Sequence, residues 1–210
     1  HIYLAVDQAT GERVVVKTPS TDLQANPAAL ERFLLEEWIA RRIDSAHVLK
    51  PCARTRQRQS IYVVTEYVEG QTLTQWMIDN PRPDLATVRG ILEQIARGLQ
   101  AFHRLEMIHQ DLKPDNIMID GTGTVKIIDF GATRVAGLEE VETPIEQINL
   151  LGAALYAAPE YFLGEPGSQR ADLYSLGVIA YQMLTGGFPY GTRVPRARTR
   201  AAQKKLVSIW

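Results

Sequence analysis

The sequence predicts an α+β chain folded into two unequal lobes, a small strand-rich half and a larger helical half. Three observations carry this. Short runs rich in β-branched residues stand at 2–6, 13–17 and 61–65. Beyond them Val88, Ile91, Leu92, Ile95, Leu99 and Phe102 keep a helical period. The length, 210 residues with 45% hydrophobic, suits one domain or two small lobes sharing a cleft.

Ile-Tyr-Leu-Ala-Val (2–6) and Arg-Val-Val-Val-Lys (13–17) read as a hairpin, with Thr10-Gly11 as the turn signal. Residues 27–43 read as a helix, with Pro27 near its start and Leu30, Phe33, Leu34 and Trp38 at helical spacing. Residues 61–65 form a third strand. The small half is expected over 1–64, a connector over 65–70 and the larger half over 71–210. There a long helix around 88–102 precedes two short strands, 116–119 and 125–128, joined through Asp120-Gly121-Thr122-Gly123. Residues 132–157 have little regular pattern, and 172–185 is apolar on most sides, as a buried helix would be.

Charged residues make up 22% and the formal net charge is -1, which argues against a disordered chain and against a nucleic-acid binder acting through bulk charge. Cys52 is the only cysteine, so no disulfide framework exists, and the four histidines have no zinc spacing. No apolar run reaches the ~18 residues a membrane helix needs. Arg193, Arg196, Arg198, Arg200, Lys204 and Lys205 give the last twenty residues a basic character with no acid. This tail reads as a solvated face, with contact to an acidic lipid or partner as the sharper alternative.

Two carboxylates carry the chemistry. Asp111 lies in His-Gln-Asp-Leu-Lys-Pro-Asp-Asn, after the long helix, and Asp129 in Ile-Ile-Asp-Phe-Gly, after the second short strand. Phosphoryl transfer from a nucleotide needs a carboxylate to orient the attacking hydroxyl and accept its proton. It also needs a carboxylate and an amide oxygen for magnesium, and a cation against the phosphates. Asp111, Asp129, Asn116 and Lys113 have those chemistries, in order and at compatible spacing.

Around them the chain resembles the eukaryotic-like protein kinase family. Val14-Val15-Val16-Lys17 resembles the strand with the ATP-binding lysine, and Glu36 the helix glutamate that pairs with it; Glu37 is the competing neighbour. His109-Gln110-Asp111 followed by Asn116 resembles the catalytic loop, and Asp129-Phe130-Gly131 the magnesium loop. Ala158-Pro159-Glu160 matches the end of the activation segment. Asp172-Leu173-Tyr174-Ser175-Leu176-Gly177 resembles the buried helix whose aspartate braces the catalytic loop. The stretches from Ala158 to Gly164 and from Tyr181 to Gly186 are similar to bacterial kinase domains joined to a metal-dependent protein phosphatase.

The resemblance implies a two-lobed serine/threonine kinase domain using ATP and magnesium on protein substrates. Asp111 would align the hydroxyl, Lys113 steady the phosphoryl group, and Asn116 and Asp129 bind magnesium. Ile2 and Val15 would cover the adenine from above and Met118 from below. Thr65 would guard the back of the pocket, and Glu66 and Val68 would offer backbone groups to the adenine edge. Leu99 and Phe130 read as core. A phosphatase domain, fused or separate, is the implied partner, and the implied location is cytoplasmic, with the parent protein anchored or not.

The chain departs from the pattern in several places. No Gly-x-Gly-x-x-Gly occurs, so the sequence reads as cut just after that loop, and it reads as short of helices at its far end. Gln110 stands where an arginine usually receives a phosphate on the activation segment. Within 129–160 only Thr133 and Thr143 bear aliphatic hydroxyls, and Glu139, Glu140, Glu142 and Glu146 crowd Thr143. Control by loop phosphate is therefore not expected. Ala153 replaces a threonine that usually contacts the catalytic-loop lysine. Gln110, Ala153 and the missing glycines keep open a non-catalytic scaffold. The shared Asp111, Asn116 and Asp129 pattern keeps open an aminoglycoside-type phosphotransferase.

Overall fold

The computed structural model describes residues 1–20, 26–53, 60–136, 153–191 and 193–207, the side chains of 28 and 195 aside. Strands β1 (Ile2–Val6), β2 (Arg13–Lys17) and β3 (Val63–Glu66) form an antiparallel sheet in that order, with Ile2 opposite Lys17 and Val15 opposite Thr65. The β1–β2 turn closes where Gly11, at φ 74°, gives its N–H to the Asp7 carbonyl at 2.7 Å. Helix α1 (Pro27–Arg42) follows. Its residues Ile39, Ala40 and Ile43 just beyond it belong to the main core.

A segment without regular structure of its own then stitches the molecule together. His47 and Leu49 exchange backbone bonds with Ile127 at 3.0 and 2.9 Å. Three residues on, Cys52 donates its N–H to the Val64 carbonyl at 2.9 Å, and Lys50 accepts from the Glu66 N–H at 3.0 Å. The first sheet is thereby tied to the second, which consists of β4 (Gly70–Thr72), β6 (Ile117–Asp120) and β7 (Val125–Ile127).

Between β4 and β6 run two helices. Helix α2 (Leu73–Asp79) is capped by Thr72, whose hydroxyl accepts the Gln75 N–H at 3.2 Å. Helix α3 (Leu85–His103) is capped by Asp84, which accepts the Thr87 N–H at 2.8 Å. A two-residue strand β5 (Met107–Ile108) pairs with β8 (Arg134–Val135). Helix α4 (Gln169–Thr185) packs on α3 and ends at Gly186, φ 73°. Helix α5 (Arg200–Val207) closes the described chain.

The main core runs through α1, α2, α3, α4 and the second sheet, and a smaller cluster gathers Ala157, Ala158, Tyr161 and Ala171. Leu73, Ile95, Leu99, Phe102, Leu112, Ile117, Ile127, Phe130 and Ile179 are all buried in the main core. The expected strands at 2–6 and 13–17 have those bounds, whereas the third strand lies at 63–66 and the helix at 172–185 begins at Gln169. No helix among the described residues is long and apolar enough to cross a membrane.

Gly70 marks the tightest approach between strands: a Cβ there would strike the Ile119 carbonyl oxygen, with Asp120 Cα only 2.7 Å away. Both obstacles are backbone and cannot rotate aside. Gly70→Ala should therefore destabilise the fold by about 1–3 kcal/mol, the usual range for overpacking. A thermal-denaturation midpoint unchanged from wild type would contradict that packing.

Candidate active site

The site is built on the loop between β5 and β6. Gln110 sits at φ 68°, a left-handed conformation costly for a side-chain-bearing residue, and it persists only where the surroundings hold it. Asp172, in the first turn of α4 and 1% exposed, supplies that hold. Its Oδ1 accepts the Gln110 N–H at 2.9 Å, and its Oδ2 accepts the His109 N–H at 3.0 Å. His103, from the last turn of α3, brings Nε2 to 2.8 Å from Oδ2. A buried carboxylate is tolerable only with such donors, so helix and loop stabilise each other.

The held loop presents Asp111, whose side chain is 30% exposed. Lys113 Nζ donates to Asp111 Oδ2 at 2.6 Å. Asn116, 7% exposed, gives its amide hydrogens to Asp111 Oδ2 at 3.0 Å and to the Asp111 carbonyl at 2.9 Å. A short 3-10 turn, Pro114–Asn116, sets this spacing, with Pro114 at its start. The Asn116 carbonyl in turn accepts the Ile128 N–H at 3.0 Å, which brings Asp129 alongside. Asp129 Oδ1 accepts from the Gly131 N–H at 3.0 Å.

A second set joins the first from the other lobe. Lys17, at the end of β2, donates to Glu36 Oε1 and Oε2 at 2.8 and 2.7 Å. Glu37, the neighbouring carboxylate, turns instead to Arg41 Nη2 at 2.7 Å. Burial pushes the Glu36 carboxyl above its ordinary range; Lys17 and the Phe130 N–H pull it down, and the charge of Asp129 adds to the rise. Phe130, 2% exposed, lies 5.5 Å from the Phe102 ring and 6.5 Å from the His109 ring, centroid to centroid. Neither His109 ring nitrogen has a hydrogen-bond partner among the described residues, and the ring packs edge-on against Phe102 beneath the loop.

The other sequence-predicted residues are spread around these sets. Ile2 is 70% exposed on β1, and Val15 and Thr65 face each other across β2 and β3. The Glu66 N–H is already given to Lys50, and its Oε1 accepts from Lys126 Nζ and the Lys50 N–H, each at 2.8 Å. Val68 is buried, and Met118 on β6 pairs with Thr72 and Lys126.

Thr133 is 7% exposed, with its hydroxyl buried and without a hydrogen-bond partner among the described residues. Thr143, the four glutamates near it and Gly152 lie outside the described residues. Ala158-Pro159-Glu160 leads a 3-10 turn, Pro159–Leu163, whose Tyr161 is 1% exposed and lies beside Gln110. The basic tail folds back on this turn. Gln203 Nε2 donates to the Pro159 carbonyl at 2.6 Å, and Arg200 pairs with Glu165 at 2.7 Å. Sequence reasoning missed His103, Lys126 and Arg41; only His103 had a signal, a polar residue ending an otherwise apolar helical stripe.

The family model described as "Protein kinase domain" matches residues 1–209. Serine/threonine-protein kinase PknA of Mycobacterium tuberculosis is 33% identical over 195 residues, covering 90% of this chain and 44% of the relative. PknD of Chlamydia pneumoniae is 32% identical over 240 residues, 98% of this chain and 26% of the relative. PrkC of Bacillus subtilis is 31% identical over 192 residues, 90% of this chain and 29% of the relative. The chain thus spans less than half the length of these curated relatives.

The raised Glu36 carboxyl has a measurable sign. The fold binds this proton more tightly than the unfolded chain does. Glu36 therefore favours folding fully below the ordinary carboxylate range, and that contribution is lost as pH rises through the elevated value. Carbon-detected NMR titration should find Glu36 protonating at higher pH than exposed glutamates, with the contact to Lys17 weakening in the same step. A midpoint at or below the exposed ones would contradict burial as the dominant cause.

Proposed function

Because this chain belongs to the protein kinase family, we propose that it transfers the γ-phosphoryl group of ATP to serine or threonine hydroxyls of proteins. The observation that carries the reading is the hydrogen-bonded set of Asp111, Lys113 and Asn116, coupled to Asp129 through the Ile128–Asn116 backbone bond. Asp111 orients the substrate hydroxyl and takes its proton. Lys113, already against that carboxylate, offsets charge on the phosphoryl group in flight. Lys17, steadied by Glu36, meets the α and β phosphates.

The residues also fit magnesium. Asn116 turns both amide hydrogens toward Asp111, leaving Oδ1 outside those bonds, and Asp129 spends only Oδ1 on Gly131. Asn116 and Asp129 would hold the ion as hard oxygen donors, and when bound it supplies positive charge against the phosphates. Ile2 and Val15 cover the adenine, Met118 lies beneath it and Thr65 stands at the back. Val68 offers its backbone, and Glu66 its carbonyl, since its N–H is committed to Lys50.

The domain works in the cytoplasm, where ATP is supplied, with a protein phosphatase domain as its counterpart. It spans 1–64 as the small lobe, 65–70 as the hinge and 71–210 as the large lobe. Gln110 is neutral and packs beside Tyr161, which supports a loop arranged without a phosphate on the activation segment. The intact charged sets weigh against a mere scaffold.

The test is transfer from labelled magnesium-ATP to generic protein substrates, with aminoglycosides in parallel. Asp111→Asn should cut transfer by about 10²–10⁴-fold, the range for losing a positioned base, while nucleotide still binds. Asp129→Ala should abolish the magnesium dependence of binding. Labelled aminoglycoside in place of protein, or a wild-type chain that binds no nucleotide, would overturn the reading.

A further inference from the structure

Helix α1 carries two adjacent carboxylates, and both are buried: Glu36 at 9% and Glu37 at 1% exposure. Adjacent helix positions point about 100° apart, so the two cannot serve one partner. Glu36 faces Lys17. Glu37 accepts from Arg41 Nε at 3.0 Å and Nη2 at 2.7 Å, one turn further along the helix. The same Nη2 reaches off the helix to the Cys52 carbonyl at 3.0 Å. Cys52 is itself fixed to the first sheet, its N–H bonded to the Val64 carbonyl at 2.9 Å. Val64 lies opposite Val16, next to Lys17.

These contacts close a ring. It runs from Lys17 to Glu36, along α1 to Glu37 and Arg41, across to Cys52 and Val64, and back through β2 to Lys17. A helix held to a sheet at one point can rotate about its axis, but one held at two points on different faces cannot do so without breaking a charged bond. Turning Glu36 away from Lys17 would pull Arg41 from the Cys52 carbonyl and strain its pairing with the buried Glu37 carboxylate.

We propose that Arg41, anchored by Glu37, is a positioning residue that locks α1 in the rotation where Glu36 holds Lys17, so that the ATP-binding lysine is set before nucleotide arrives. The inference rests on the kinase reading for its consequence, but the ring itself can be probed without any activity. Arg41 bonds to Glu37 and the Cys52 carbonyl and makes no direct bond to Lys17.

The experiment uses the full chain and the double variant Glu37→Leu/Arg41→Met. Glu37 is buried while Arg41 reaches the surface, so replacing both leaves no buried carboxylate without its cation, and the variant should fold where Arg41→Met alone would strand a charge. A thermal melt and circular dichroism establish that it does. Two readouts follow. Cys52, the only cysteine, reports the ring directly. Its thiol is partly buried, with burial foremost in raising it above its ordinary range. Arg41's charge favours the thiolate, so its loss alone would slow alkylation; measured across pH and expressed per thiolate, iodoacetamide labelling should run several-fold faster once the Cys52 carbonyl loses Arg41. Magnesium-ATP affinity reports the lysine, and should fall about ten-fold if the competent rotation drops to a tenth of the population.

Arg41→Lys keeps a cation for Glu37 but loses the forked guanidinium that serves Glu37 and the Cys52 carbonyl together. It should show the same direction of change in both readouts with a smaller loss of affinity. A folded double variant with unchanged labelling, or with faster labelling and unchanged nucleotide affinity, overturns the proposal. If the wild-type chain binds no nucleotide, the kinase reading fails, and the labelling rate alone decides whether the ring exists.

Discussion

Everything in the candidate site hangs on one buried carboxylate. Asp172 accepts two consecutive backbone N–H groups from a loop bent into a left-handed turn and a third contact from His103. Without those donors a charge at 1% exposure would be untenable; without the charge, Gln110 would have no reason to keep φ 68°. The loop beyond it inherits that geometry, and Asp111, Lys113 and Asn116 meet because Gln110 is held where it is. A structural ion-dipole contact in the core thus sets the position of the part-buried groups beyond it.

The second constraint is the attachment of α1. Lys17 comes from the end of the central strand β2 and Glu36 from a helix, so their bond depends on how sheet and helix are fastened. The fastening is done by residues 47–52, which bond to Ile127 on one side and to Val64 and Glu66 on the other. Lys126 and Lys50 both meet Glu66 near the same junction. The Asp129-Phe130-Gly131 turn then fits beneath, its ring packed on Phe102 and His109. Polar bonds set direction here and apolar packing sets depth.

How much of this could be read in advance follows from the physics of each part. Strands β1 and β2 were legible because five-residue β-branched runs flank a turn signal, and α3 because its apolar stripe holds period over about four turns. The charged residues of the site were legible because several chemistry-bearing side chains recur in a fixed order. Strand β4 and helix α2 were not, since three and seven residues are too few to display a period. Segment 47–52 was hidden for another reason. Its bonds are to residues 64, 66 and 127, and nothing in its own composition announces partners so distant. Arg41 was hidden likewise, because an i,i+4 pair on a helix ordinarily marks a solvated face, and only the burial of Glu37 reveals otherwise.

The claim that Asp172 holds the loop between β5 and β6 is tested most directly by residue-resolved amide hydrogen exchange on the wild-type chain and on Asp172→Asn. The account predicts that the amides of His109 and Gln110 are strongly protected in the wild type. In the variant they should exchange about a hundred-fold faster, as expected for losing hydrogen bonds to a charged group, while the middle of α3 keeps its protection. Rapid exchange of those two amides in the wild type, or protection that survives the substitution, would contradict it.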